Sequence, residues 1–389
     1  MSFRKIRLLT AGESHGPALT VILEGLPAQL ALSEENLRYH MKRRQMGFGR
    51  GARMKIETDD VEITGGLRFG KTIGSPVSMV IRNRDFENWK DLMEPWAPVD
   101  AKRSMHRPRP GHADLAGGLK YGEKDLRNIL ERASARETAA RTAAGAVCRQ
   151  FLEQGGIQLA SHVLSIGKVE MLNHNVLWDD IQAVQESDRL RCVDPKIETQ
   201  MLAEIEEARQ KKETLGGMFQ VVARNVPPGL GSHVQWDQKI DGRIAQAMLA
   251  IPAVKGVAIG DAFGQTRSWG SEAHDEIFYE SGRGFFRRTN FAGGTEGGIT
   301  NGEELRVTAM MKPLSTLMKP LRSVDIISKE PQEAVVERSD VCSVPAAGVI
   351  GEAMLALVLT DALLEKFSCD SMPEFLAALQ YYRDQLLNY

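Results

Sequence analysis

Basic residues in this chain cluster in a way that would build an anion site. Arg38 to Lys55 holds seven Lys/Arg and His40 with no acid, and Lys102 to His112 holds four Lys/Arg with His106 and His112, again without an acid. Arg306 to Val324 is a third acid-free stretch, carrying Arg306, Lys312, Lys319 and Arg322, and Arg283, Arg287 and Arg288 precede it. Scattered, these runs would be solvated surface. Two of them, MGFGRGAR and RPRPGHADLAGG, set arginines on glycine-bearing, turn-forming chain. There a loop can wrap a small anion, and a guanidinium can make bidentate contacts to phosphate or carboxylate. Convergence of the runs predicts a deep cationic pocket. His15, beside Ser14 in the tight turn Gly12-Glu13-Ser14-His15-Gly16, is suited to delivering a proton to an anion held nearby. His40, His162, His174, His233 and His274 read as hydrogen-bonded structural residues.

Other chemistries compete for the same residues. Gly12 to Gly16 formally matches G-x-S-x-G, the nucleophile elbow of hydrolases, but an elbow needs a helix after it and here the β-like run ALTVIL follows. GFGRGAR would also suit RNA, although it occurs once and has no aromatic-rich sheet motif beside it. No G-x-G-x-x-G turn with a downstream acid suggests a dinucleotide fold. The segment Phe291 to Gly302 is rich enough in glycine to approach a flat ring or a phosphate, and equally reads as a set of tight turns.

The elements that must position these residues alternate between strand and helix. Strands are expected at Ala18 to Leu23, Met54 to Ile63, Val77 to Ile81, Met218 to Val226 and Leu305 to Met311. Helices are expected from the Ser33 cap to near Gly47, at Ile197 to Glu213 and at Ile240 to Ala250. Glu123 to Gln154 repeats its apolar positions at helical spacing and predicts one long, Ala-rich, buried helix, with Arg132 and Arg136 four apart on one face. Ala346 to Phe367 is the most apolar helix, although Glu352 and Asp361 interrupt it, as they would not in a membrane span. The 389 residues carry 49 Lys+Arg against 51 Asp+Glu, with 42% hydrophobic and 26% charged residues. That balance excludes disorder and argues against a general nucleic-acid coat or a membrane-surface protein. Four dispersed cysteines suggest neither disulfides nor zinc, and a cytoplasmic protein is expected.

Taken together, these segments resemble the chorismate synthase family over essentially the whole chain. GESHGPALTVILEGLP (12–27), ERASARETAARTAAGAV (131–147) and RSDVCSVPAAG (338–348) look like its signatures, in order. RRQMGFGRGARMKIE, HRPRPGHADLAGG, GLGSHVQWD, RRTNFAGGTEGGITNG and MKPLSTLMKPL are similar to further family segments. The resemblance implies a lyase: anti 1,4-elimination of phosphate from 5-enolpyruvylshikimate 3-phosphate to give chorismate. It also implies reduced FMN without net redox change, with NADPH as a possible reductant. The implied fold is α+β, a β-α-β sandwich forming one domain over residues 1–389 and assembling as a homotetramer. By the resemblance, His15 would be the acid near the leaving phosphate, His112 would protonate or orient the reduced flavin, and Asp340 would assist proton removal. Ser14, Arg50, Arg53, Arg109 and Arg136 would line the substrate. Arg132, Ala133, Ser134, Pro252, Ala253, Gly297, Lys312, Pro313, Leu314, Ser315, Thr316 and Arg338 fall in flavin-contact segments, and Arg44 and Arg50 where NADP is contacted.

Overall fold

The structure, a computed structural model, describes residues 4–51, 56–96, 104–187, 189–337 and 339–389. Its first half runs β1 (Arg7–Ala11), β2 (Ala18–Glu24), α1 (Glu34–Gln45), β3 (Val61–Gly65), β4 (Val77–Arg82), α2 (Asp114–Tyr121), α3 (Arg127–Ala133) and α4 (Thr138–Gln154). The second runs β5 (Gln158–Ile166), β6 (Val169–Glu170), α5 (Pro195–Gln210), β7 (Gly217–Arg224), α6 (Ile240–Leu249), β8 (Val254–Ile259), β9 (Leu305–Met311), α7 (Val344–Phe367) and α8 (Met372–Leu387). Two antiparallel sheets result, in the orders β1-β2-β4-β3 and β8-β9-β7-β5-β6.

Two helices fill the space between the sheets. α4 packs on β2 and β4 of the first sheet, α7 packs on β5 and β7 of the second, and the two helices pack on each other. Small residues make this possible. A Cβ on Gly145 of α4 would stand 2.3 Å from the Ala353 Cβ of α7, and Cβ atoms on Gly348 and Gly351 would come 2.8 to 2.9 Å from Ser161, Phe219 and Val221. The fold is therefore α+β with a β-α-β sandwich. α7 is long and apolar enough to cross a membrane, yet all of that apolar stretch is buried, which makes it the core helix of this sandwich.

The polar breaks in α7 are paired inside the core. Glu352 accepts from Arg43 (2.7 Å), Arg149 (2.5 Å) and Ser161 (2.6 Å). Asp361 accepts the backbone N–H groups of Arg4, Lys5 and Ile6, tying the start of the chain to the core. A buried charge without such partners would be strongly destabilising. All four cysteines are free.

Two sequence expectations are corrected. The long helix over Glu123 to Gln154 is broken at Ser134, whose ψ of 143° is extended, so α3 ends and a short 3-10 turn precedes α4. The Ser134 hydroxyl accepts the Arg136 N–H at 3.3 Å, supplying a new cap where helical hydrogen bonds stop. Periodicity across the break came from two helices falling into similar phase. The strand expected from Met54, whose first residues lie outside the described ones, begins only at Val61, because Asp59 takes a left-handed φ of 50° that no strand accommodates.

Candidate active site

The turn between β1 and β2 carries His15. Gly12 has φ of 103°, and a Cβ there would come 2.2 Å from the Ala18 carbonyl, so only glycine lets the turn fold against β2. Asn83, following β4, donates to the Glu13 and Gly16 carbonyls at 3.1 and 2.7 Å. Glu131 of α3 completes the frame. Its carboxylate accepts the His15 backbone N–H at 2.8 Å and contacts His15 Nδ1 at 3.0 Å through both oxygens, while its carbonyl accepts the Ser14 N–H at 2.9 Å. The His15 ring stacks on Trp89 at 4.1 Å. Burial alone would raise the Glu131 carboxyl, but its bonds to His15 and the charges of His15 and Arg127 hold it below the usual carboxylate range. Ser14 Oγ bonds Ser134 Oγ at 3.0 Å, and the segment leads into a strand, so the arrangement is not a nucleophile elbow.

His112 is held in the same manner from another loop. Its Nδ1 lies 2.6 Å from Asp114 Oδ1, and Asp114 also accepts from the Arg109 backbone N–H (3.0 Å) and Nε (2.8 Å). Burial would raise the Asp114 carboxyl, but the hydrogen bonds and charges of His112 and Arg109 keep it well below the usual range. Arg109 reaches across to Thr316 Oγ1 (2.8 Å), and Lys312 Nζ to the Gly111 carbonyl (2.5 Å), so the second and third basic runs are laced together.

These groups meet around one cavity of about 400 Å³. Ser14, His15, Arg44, Arg50, Arg109, His112, Arg136, Lys312 and Asp340 line its polar part, and Ile251, Pro252, Met311, Leu314, Ala346 and Ile350 form an apolar wall. Three basic runs thus converge, but the pocket is less cationic than expected, because acids distant in sequence pair with the arginines. Asp59 bridges Arg44 and Arg136. Burial would raise its carboxyl, but those two guanidinium groups pull it down to about 2. Asp340 pairs with Arg50 at 3.1 Å and accepts from the Gly51 N–H (2.6 Å) and the Ser343 hydroxyl (2.7 Å). Burial lowers the Arg50 guanidinium.

Several expected residues lie elsewhere. Arg132 turns to the carbonyls of Gly12 and Thr10 and lines a second cleft of about 660 Å³ beside β1, which meets the first at Ala133, Ser134 and Pro252. The helix break at Ser134 explains why it does not share a face with Arg136. Gly297 occupies a turn between the two-residue strands Thr295–Glu296 and Ile299–Thr300, away from the cavity. Arg287 pairs with Glu296 at 2.6 Å, Arg283 and Arg288 lie over Phe286 and Phe278, and Arg306 points within the second sheet to Gln220. Ala253, Ser315 and Thr316 line the cavity and Pro313 does not. Arg53 and Arg338 lie outside the described residues. Sequence reasoning did not identify Glu131, Asp114, Asp59, Asn83 or Trp89. Asp114, two residues after His112, was the one with a local signal.

The family model for chorismate synthase matches residues 6–364. Chorismate synthases from Aquifex aeolicus (strain VF5) and Moorella thermoacetica are 56% and 54% identical to this chain. The first comparison spans 96% of each chain, and the second 98% of this chain and 99% of the relative. A solved structure titled as a crystal structure of chorismate synthase superposes with a TM-score of 0.81 at 45% identity and covers all of both chains.

Proposed function

The chain belongs to the chorismate synthase family, and from that membership we propose how the cavity carries out the reaction. It is a carbon–oxygen lyase that eliminates phosphate from 5-enolpyruvylshikimate 3-phosphate in the anti 1,4 sense to give chorismate, the last step of the shikimate pathway. The observation that carries the mechanism is the meeting of two carboxylate-held histidines and three basic runs at one cavity with an apolar wall.

The substrate brings two carboxylates and a phosphate, about four negative charges, which cannot be desolvated unpaired. Arg44, Arg50, Arg109 and Arg136 bind these groups without giving up their carboxylates, since each guanidinium has five N–H donors. Among the described residues, Arg44 Nε is buried with no hydrogen-bond partner, and Arg136 Nη2 stands 3.6 Å from Glu57 Oε2. His15 gives a proton from Nε2 to the departing phosphate oxygen, Nδ1 being engaged by Glu131. Asp340, paired with Arg50 of the first basic run, assists removal of the ring hydrogen, which leaves carbon as a proton. The apolar wall excludes water while charge moves.

The same cavity fits reduced FMN. Ile251, Pro252, Ala253, Met311 and Leu314 offer a flat ring an apolar face, and Lys312, Ser315 and Thr316 offer donors for carbonyl or phosphate oxygens. When bound, reduced FMN supplies electron density for C–O cleavage and recovers it by the end of the turnover. His112, oriented by Asp114, holds a proton toward that part of the cavity. NADPH is the reductant proposed for the flavin, with Arg44 and Arg50 the groups for its contact. We read the chain as one catalytic domain acting in the cytoplasm as a homotetramer.

With reduced FMN under anaerobic conditions, His15→Ala and His112→Ala each lower kcat by about 10²-fold or more while far-UV and near-UV dichroism stay unchanged. A near-wild-type rate in either variant removes that residue from the mechanism.

A further inference from the structure

Resting on the reading of His15 as the acid, we infer that Glu131 is the positioning carboxylate of that proton transfer, gripping His15 by ring and backbone together. The grip has three parts: the His15 N–H to Oε2 at 2.8 Å, and Nδ1 to Oε1 and Oε2 at 3.0 Å each. Trp89 covers one face of the ring at 4.1 Å with planes 26° apart. Arg127 completes the assembly, donating to Glu131 at 3.2 Å and lying over Trp89 at 5.1 Å.

Glu131 does not line the cavity, and its side chain is 2% exposed. It touches neither substrate nor cofactor and acts through His15. The chemistry follows from which nitrogen is engaged. With Nδ1–H donated to the carboxylate, the imidazolium proton that can leave is on Nε2. That N–H bond breaks, an O–H bond forms on the leaving phosphate, and His15 is left neutral with Nδ1–H still on Glu131. The carboxylate stays ionised throughout, held so by His15 and Arg127 against its burial. It fixes the ring's orientation before transfer and keeps the correct tautomer after it.

The test uses the full-length protein with reduced FMN, comparing wild type, Glu131→Gln, His15→Ala and the double variant. Glu131→Gln is expected to lower kcat about 10-fold to 10²-fold with KM for 5-enolpyruvylshikimate 3-phosphate within about twofold. In the His15→Ala background the same substitution is expected to cost less than about twofold, because a residue acting only through His15 has nothing left to position. A wild-type rate in Glu131→Gln, or an equal loss in both backgrounds, overturns the inference. Histidine-selective ¹⁵N NMR of the wild-type protein alone gives a second readout that needs no folded variant. A His15 Nδ1 carrying a hydrogen-bonded proton supports the inference, and an unprotonated Nδ1 overturns it. Absence of chorismate from the wild-type enzyme would instead defeat the reading of the reaction, and the NMR result would still decide the pairing.

Discussion

Asp59 shows why a basic run need not mean a basic pocket. One buried carboxylate takes a donor from Arg44 on α1 and another from Arg136 beside the Ser134 break, and so fixes two guanidinium groups from distant parts of the chain. Its φ of 50° is a backbone cost borne at a functional position. Asp59→Asn removes the shared charge while keeping the shape. The expected result is a rise of about 10-fold or more in KM for the substrate, from loss of roughly 1.5 to 3 kcal/mol of charge-assisted bonding and misplacement of both arginines. Steady-state kinetics decide it, and an unchanged KM would mean that the arginines hold their positions unaided. His15 was readable from its tight turn, and His112 and Asp340 were expected from motifs of the resemblance; all three line the cavity. Asp59, Glu131 and Asn83 were not readable, since they grip residues 15 to 117 positions away, and no periodicity records such a pairing.

The helices that carry the cavity were only partly readable. α7 and α1 were visible from apolar content and the Ser33 cap, whose side chain does accept the Asn36 N–H at 3.2 Å. The break at Ser134 was not, because Leu130, Ala133, Ala140 and Ala144 keep a helical rhythm across it while a tertiary bond to Ser14 and a local cap on Arg136 set the backbone. That break turns Arg136 inward and Arg132 outward. The α4–α7 contact leaves no room at one position, since a Cβ on Gly145 meets Ala353 side chain and backbone at 2.3 and 2.4 Å. Gly145→Val is therefore expected to destabilise by roughly 1 to 3 kcal/mol or more, through overpacking of a seam that cannot open without moving a sheet. Urea unfolding measures it. A midpoint equal to wild type would show that the two helices slide apart freely.

The molecule balances a neutral net charge against an interior full of ion pairs, and this makes its stability depend on acid. Asp59, held at about 2 against an ordinary 3.8, contributes stability that is present above the ordinary value and lost as pH falls toward 2. Glu352, Asp114 and Glu131 are shifted in the same direction. His162, lowered by burial to about 4, and His40, lowered well below 6.5, act earlier in the descent. Below about pH 6.5 the unfolded chain takes up protons at these histidines that the folded chain refuses, so stability falls as pH drops through 6.5 toward 4. The unfolding midpoint in urea is expected to decline from pH 7 to pH 5, and further to pH 4. A midpoint constant over that interval would mean that the buried histidines do not couple to folding. The central claim concerns the reaction itself, and the most direct measurement is anaerobic turnover of 5-enolpyruvylshikimate 3-phosphate with chemically reduced FMN, oxidised FMN and His15→Ala serving as controls. The account predicts chorismate and phosphate in equal amounts, formed only with reduced FMN and leaving that FMN reduced at the end. Consumption of one reduced flavin per turnover, or no product from folded, flavin-bound protein, would contradict it.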